Sequence, residues 1–278
     1  MSAMFDMHVH TAPDVWQRYG DDRAIAQLYE RAGFRGCVIK AHYDNTAGRA
    51  RAAGAGLRLR VYGALALNQH VGGCNPAAVA AALSMGARVI WMPTTDAHTQ
   101  QRAGLPRLCA TLPGLADTTY AIPPVNPSTE ADVRRIVALV AEHDAVLATG
   151  HLSAAEAGWL LPVARAGGVR RLVVTHPTYT VPSMSAARAA ELAALGAFAE
   201  VTAYQLLHQP GCDAARLAEL VRAVGYDRII LSSDAGQPDS PSPPQALELL
   251  VDALAGQGLD RSALIACASD LPEALVTP

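Results

Sequence analysis

The sequence predicts a (β/α)8 TIM barrel with an extra C-terminal helix and a long loop after the fourth strand. Three observations lead there. Eight short runs rich in Val, Ile and Leu are spread over the 278 residues, and helix-like segments lie between them. No GxGxxG follows the first run, where a dinucleotide-binding open sheet would carry it. Eight regular units in a chain of this length therefore favour the closed barrel over a doubly wound sheet.

The runs are "FDMHVH" (5–10), "GCVIKAH" (36–42), "RVYGALALN" (60–68), "ARVIWMPT" (87–94), "AVLATGH" (145–151), "RRLVVTHP" (170–177), "AFAEVTAY" (197–204) and "RIILSSDAG" (228–236). Near-continuous hydrophobicity over so few residues is what a parallel strand covered on both faces requires. Between them, "DDRAIAQLYERAGF", "NPAAVAAALSMGA", "SMSAARAAELAALGA" and "DAARLAELVRAVGYD" read as helices, the last with apolar positions near a 3.6 period and a stop at Gly225. The stretch from Thr94 to Ser128 is too long for an ordinary connection and reads as a lid or binding loop, and "QPDSPSPP" (237–244) as a second, rigid loop. "DRSALIACASDLPEALVTP" supplies the additional terminal helix, closing the bottom of the barrel or packing outside it. No fixed sequence period and no low-complexity linker divides the chain, so residues 1–278 read as one domain.

A formal net charge of −3 gives no electrostatic footprint for nucleic acid or an anionic membrane. "MSAMFDMHVH" lacks the basic-then-apolar pattern of a secretory signal, and no apolar run approaches the roughly 18 residues of a membrane span. The five cysteines lack CxxC spacing and read as reduced thiols of a cytoplasmic protein. The expected partner is a small-molecule substrate, with homo-oligomerisation common for such barrels.

In a barrel of this kind the reactive side chains gather at the C-terminal ends of the strands. The first run ends in His8 and His10, the fifth in His151, the sixth in His176 and the eighth in Asp234. A histidine at one strand end is usually just a hydrogen-bonded polar residue. Five ligand-type residues arriving at one rim point instead to a shared divalent cation. Imidazole and carboxylate suit Zn²⁺, with Mn²⁺ or Fe²⁺ as alternatives, and no cysteine in the set selects a softer ion.

This ordered pattern of "DMHVH", "ATGH", "VTHP" and "SSD" resembles the amidohydrolase superfamily of metal-dependent barrel hydrolases, in an uncharacterised bacterial branch without a known substrate. The resemblance implies that His8, His10 and Asp234 hold one ion and that His151 and His176 hold a second. Many two-metal members bridge the ions with a carboxylated lysine or a glutamate after the fourth strand, where this chain has "WMPTTD". Lys40, ending the second run, is the candidate bridge; as an alternative it remains an ammonium paired with substrate or Asp234, and Asp96 is a weaker substitute. The implied reaction is attack of metal-activated hydroxide on an amide, cyclic amide or lactone-type carbonyl, a C–N bond other than a peptide bond being the expected target. Asp234 would shuttle the proton, and His176 would join Lys40 among the catalytic groups.

Arg18, His42, Tyr179 and Trp91 are the expected substrate-binding residues. Asn68, His70 and His98 carry no discriminating signal, and His143 and His208 read as surface residues. Glu200 reads as interior polar lining and Asp6 as a structural hydrogen-bond partner. Two other readings compete: a mononuclear metal-dependent decarboxylase of a small carboxylic acid, and a barrel that only binds a small molecule.

Overall fold

A computed structural model describes residues 4–278; residues 1–3, part of the stretch read as lacking a leader, lie outside it. Eight strands, β1 (Phe5–His10), β2 (Gly36–Lys40), β3 (Arg60–Ala66), β4 (Ala87–Trp91), β5 (Val146–Ala148), β6 (Arg171–Val174), β7 (Phe198–Thr202) and β8 (Ile229–Ser232), pair in parallel in sequence order. The ring is closed between β1 and β8 by two backbone bonds: the Asp234 N–H donates to the His8 carbonyl (2.8 Å) and the His10 N–H to the Ala235 carbonyl (2.8 Å). The TIM barrel expected from the eight apolar runs is the fold observed.

Side-chain alternation sorts each strand between two environments. Val38, Ala64, Ala66, Val89, Trp91, Val146, Ala148, Val173 and Ile230 fill the interior of the ring. Their neighbours Cys37, Ile39, Leu65, Ile90, Leu147, Leu172, Val174, Val201 and Leu231 pack outward under the helices. β1 breaks phase once. Its register with β2 shifts between Asp6 and Val9, so Phe5 and Met7 belong to the interior while Val9 belongs to the outer layer. Asp6 consequently lies outward, accepting hydrogen bonds from the Tyr29 hydroxyl (2.5 Å) and the Ser233 N–H (3.0 Å). The structural role read for Asp6 holds, but its shared parity with His8 does not: the irregularity separates them, as bulges near active sites often do.

The helices start where short polar side chains supply caps. Asp21, Asn75, Ser153, Ser185, Asp213 and Asp260 each accept a hydrogen bond from a first-turn N–H. The expected single terminal helix is two, Arg261–Cys267 and Asp270–Val276, broken at Ser269 (φ −134°, ψ −79°). The second of them closes the floor. Leu275 and Val276 enter the interior cluster, the Arg171 guanidinium donates to the carbonyls of Ala274, Leu275 and Thr277, and Arg88 donates to that of Val276.

The strands end earlier than the apolar runs suggest, and their surplus residues become the loops of the upper rim. The long connection after β4 is not structureless, containing a short helix His98–Arg102 and a 3-10 turn Leu108–Ala110. It returns by backbone pairing of Tyr120 with Asp96 (2.9 Å) and His98 (2.9 Å), and the buried Glu156 accepts the Ile122 N–H at 2.9 Å. Asp96, the weaker bridge candidate, is spent here. It accepts from the Tyr43 hydroxyl (2.8 Å) and the Gln69 N–H (2.9 Å), with Arg107 3.5 Å away. All five cysteines are free thiols. Among the described residues no helix is long and apolar enough to cross a membrane.

Candidate metal centre

Inward phase on β1, β2 and β7 brings His8, His10, Lys40 and Glu200 to one level at the C-terminal end of the ring, and the turn after β8 adds Asp234. His8, His10 and Asp234 are buried and each offers a ligand atom within 4.8 Å of the others. The Asp234 Oδ1 lies 3.0 Å from His8 Nε2 and 3.1 Å from His10 Nε2, and its Oδ2 lies 3.9 Å from His176 Nε2. The His151 ring is 5.1 Å from that of His176. The five residues read from the strand ends therefore converge on one rim.

Lys40 is fully buried, with Nζ 2.8 Å from His8 Nε2 and 5.0 Å above the Trp91 ring. Burial pushes its ammonium down to about 8, against the pull of Asp234 and Glu200. Burial also opposes charge on His8, but the Asp234 and Glu200 carboxylates outweigh it and raise His8 to about 9. Burial drives His176 down to about 4 and holds His10 and His151 well below the ordinary imidazole value, which keeps their lone pairs free. Asp234 remains ionised: its burial is overcome by His8 and His10, and its carboxyl lies well below the usual range.

This donor set fits a divalent cation on three grounds. Two imidazole Nε2 atoms and a carboxylate oxygen face a common point, where a proton on His8 now offsets the charge of Asp234. The Nδ1 atoms of His10 and His176 are buried without a hydrogen-bond partner among the described residues, so these rings are polar groups that the protein itself leaves incompletely paired. Finally, the His8 Nδ1–H donates to Glu200 Oε1 (2.9 Å), which in turn accepts from the Ser232 hydroxyl (2.5 Å), so His8 turns its Nε2 to the centre. A carboxylate behind a ligating imidazole fixes its tautomer and raises its basicity.

Glu200 is thus the main residue whose part the sequence did not disclose, since parity alone gives the same reading for Thr202. Its replacement by Gln is expected to weaken zinc binding about 10- to 100-fold, read by competition with a chromophoric chelator; an unchanged affinity would remove Glu200 from the site. Gln100, which no sequence signal marks, does for His151 what Glu200 does for His8: its Oε1 accepts from His151 Nδ1 at 2.9 Å.

Above the centre is a cavity of about 260 Å³ whose wall includes His42, Arg18, Tyr179, Tyr204 and Gln237. Arg18, Tyr179 and His42 are where substrate-binding residues were expected. Arg18 is held by Asp14 through Nε (2.9 Å) and Nη2 (2.8 Å). Trp91 is not part of the wall; it is buried beneath the centre, its ring 5.3 Å from that of His8. Of the residues without a sequence signal, Asn68 is buried behind His42 and donates to the His42 carbonyl (2.8 Å). His208, expected on the surface, is part-buried against Ser240 (2.6 Å) and the Tyr204 ring (4.9 Å).

The fold and the site define a TIM barrel with a group of histidines and one aspartate at its upper rim whose His8, His10 and Asp234 could hold a cation. The chain belongs to a family described as "Family of unknown function (DUF6282)", whose model matches residues 3–200. No curated protein matches it. Among solved structures, an amidohydrolase from Burkholderia multivorans with bound HEPES is similar over 100% of both chains, with TM-score 0.63 and 14% identity. An amidohydrolase from Pseudomonas aeruginosa is similar over 99% of this chain and 97% of that one (TM-score 0.60, 12% identity). An organophosphorus hydrolase from Deinococcus radiodurans is similar over 99% and 92% (TM-score 0.62, 13% identity). At these identities the shared property is the barrel fold.

Proposed function

We propose that the chain is a metal-dependent hydrolase acting on the carbonyl of a small molecule, an amide, cyclic amide or lactone. The observation that carries this reading is the convergence of His8, His10, His151, His176 and Asp234 under one cavity, with two of the four imidazoles oriented by buried acceptors. His8, His10 and Asp234 would hold a divalent cation, Zn²⁺ by donor type, and His151 and His176 a second, with Lys40 between them. Such a cation supplies Lewis acidity and acidifies water so that a hydroxide nucleophile is available near neutral pH.

The protein's own groups do the rest. Glu200 and Gln100 orient His8 and His151, and Asp234 takes a proton from the nucleophile and returns it to the leaving group through Oδ2, the oxygen nearer His176. Arg18 offers its remaining N–H donors to an anionic end of the substrate, and Tyr179, its ring 5.1 Å from that of His176, closes the wall beside the reacting carbonyl. Lys40, buried and pushed toward the free amine, is chemically suited to carbon dioxide capture and hence to bridging two ions.

One observation favours a second reading. The compact ligand group contains only His8, His10 and Asp234 among the described residues, and Asp96 is engaged in holding the long loop. A single ion would fit that set, the arrangement a mononuclear decarboxylase uses, with Lys40 as an ammonium.

Metal content per chain tests both readings. At least one equivalent of zinc, manganese or iron is expected, and removal with a chelator should abolish turnover over a panel of N-acyl amino acids, cyclic amides, lactones and aromatic acids. Reloading zinc to 100 times its Kd should add about 2.7 kcal/mol to stability, seen as a rise in Tm. Protein that neither retains nor takes up such an ion overturns the proposal. One ion with decarboxylation of an acid in the panel selects the second reading.

A further inference from the structure

Three histidines at the centre or the cavity above it have Nδ1 tied to a protein side chain. Which nitrogen bears the proton decides whether the free one is a lone pair or a donor. For His8 the fixed partner is a carboxylate, so Nδ1 keeps its proton, and the one that a cation would displace is on Nε2. For His151 the partner is Gln100, whose amide is oriented by its own Nε2 donating to the Pro106 carbonyl (3.1 Å). Its Oε1 therefore faces His151, and again Nδ1 bears the proton.

His42 is wired the other way. The Asn68 Oδ1 accepts two backbone N–H groups, of Thr94 (2.9 Å) and Asp96 (3.2 Å), which fixes the amide. Its Nδ2 then donates to the His42 carbonyl (2.8 Å) and to the Thr94 Oγ1 (2.6 Å). Thr94 is fully buried, and its hydroxyl proton has His42 Nδ1, 2.9 Å away, as its one acceptor among the described hydrogen bonds. The remaining proton of the neutral ring is on Nε2. The ring stacks on His10 (4.9 Å between centroids), meets Trp16 edge-on (5.5 Å) and forms part of the cavity wall.

We propose that His42 is a tautomer-locked hydrogen-bond donor, aimed by Asn68 and Thr94, that polarises the substrate's carbonyl oxygen from the side facing β2, and that it is not a metal ligand. A nitrogen carrying a proton has no lone pair for a cation, yet it can stabilise charge as it develops on an oxygen. His42 thereby selects substrates that present an acceptor oxygen next to the metal centre. The catalytic part of this inference rests on the hydrolase reading above; the tautomer does not.

The decisive experiment is a long-range ¹H–¹⁵N correlation spectrum of the zinc-reconstituted, ¹⁵N-labelled protein, assigned with His42→Gln. His42 should show a protonated Nε2 and a bare Nδ1, the reverse of His151, and Thr94→Val should lose that preference. A protonated Nδ1 on His42 overturns the proposal. In parallel, His42→Leu should lower kcat about 10²- to 10³-fold with little change in KM, on whichever compound of the panel turns over fastest. His42→Gln, which keeps an N–H donor, should recover part of the loss, and both variants should keep the metal content of the unchanged protein. Loss of a metal equivalent would make His42 a ligand, and an unchanged kcat in His42→Leu would deny it a role; either overturns the proposal. Failure of the hydrolase reading shows separately, as absence of metal and turnover in the unsubstituted protein, while the tautomer is still judged by the spectrum.

Discussion

Asp234→Asn is expected to lower kcat by about 10³-fold or more while the barrel stays folded. Asp234 has φ +48°, in the left-handed region that asparagine adopts more readily than other non-glycine residues, so the backbone can be retained. Its N–H would still donate to the His8 carbonyl and keep the β1–β8 seam closed. What disappears is the negative charge facing His8 Nε2 at 3.0 Å and His10 Nε2 at 3.1 Å, together with the proton acceptor. General acid–base catalysis alone contributes about 10²- to 10⁴-fold, and weaker cation binding adds to that. The variant should therefore combine a near-native circular dichroism spectrum with depleted metal and lost turnover. Turnover within tenfold of the unsubstituted protein would remove Asp234 from the centre of the mechanism.

Gly150→Ala is expected to be strongly damaging for so small a substitution near the site. Gly150 has φ +58°, and a Cβ there would meet the carbonyl oxygens of Met92 and Pro93, the latter at 2.6 Å. Both are backbone atoms at the end of β4 and cannot swing aside. The same Pro93 oxygen accepts the His151 N–H at 2.9 Å, so relieving the clash moves a proposed ligand. Backbone strain and overpacking, each of order 1–3 kcal/mol, sum to about 3 kcal/mol of lost stability, which lowers Tm by roughly 6–12 °C in a domain of this size. Gly33→Ala is the control, because Gly33 has φ +76° but open space where the Cβ would go; it should lose only about 1 kcal/mol. Equal losses in the two variants would show that the close approach at Gly150 is not what the fold depends on.

Much of this architecture can be read from the chain because a parallel barrel imposes two strong patterns. Its strands must be apolar along their length, and its reactive groups must follow their last apolar residue. His8, His10, His151, His176 and Asp234 stand out for that reason. Residues that act through another side chain leave no such mark. Glu200 follows the inward phase of β7, but phase does not say that a histidine from β1 lies opposite. Gln100 sits on a short helix inside a connection whose path no periodicity reports. The orientation of His42 depends on Asn68, 26 residues away, on Thr94, 52 residues away, and on which end of an amide meets the backbone. Trp91 shows the converse limit: alternation places it inside the ring, but only the stagger of neighbouring strands sets its depth, below the cavity. The phase break in β1 is likewise invisible, since "FDMHVH" alternates as well as any regular strand.

The sealed floor has a consequence for kinetics. With Leu275 and Val276 plugging the lower end and Arg88 and Arg171 pinning the carbonyls around them, reactant, water and spent product of the proposed reaction would share the mouth beside Leu105 and Pro106. Traffic through such a blind pocket is sequential: one occupant has to leave before the next arrives. For the proposed hydrolase, product would leave past that segment, which Arg107 ties to Asp117 and the Thr118 carbonyl.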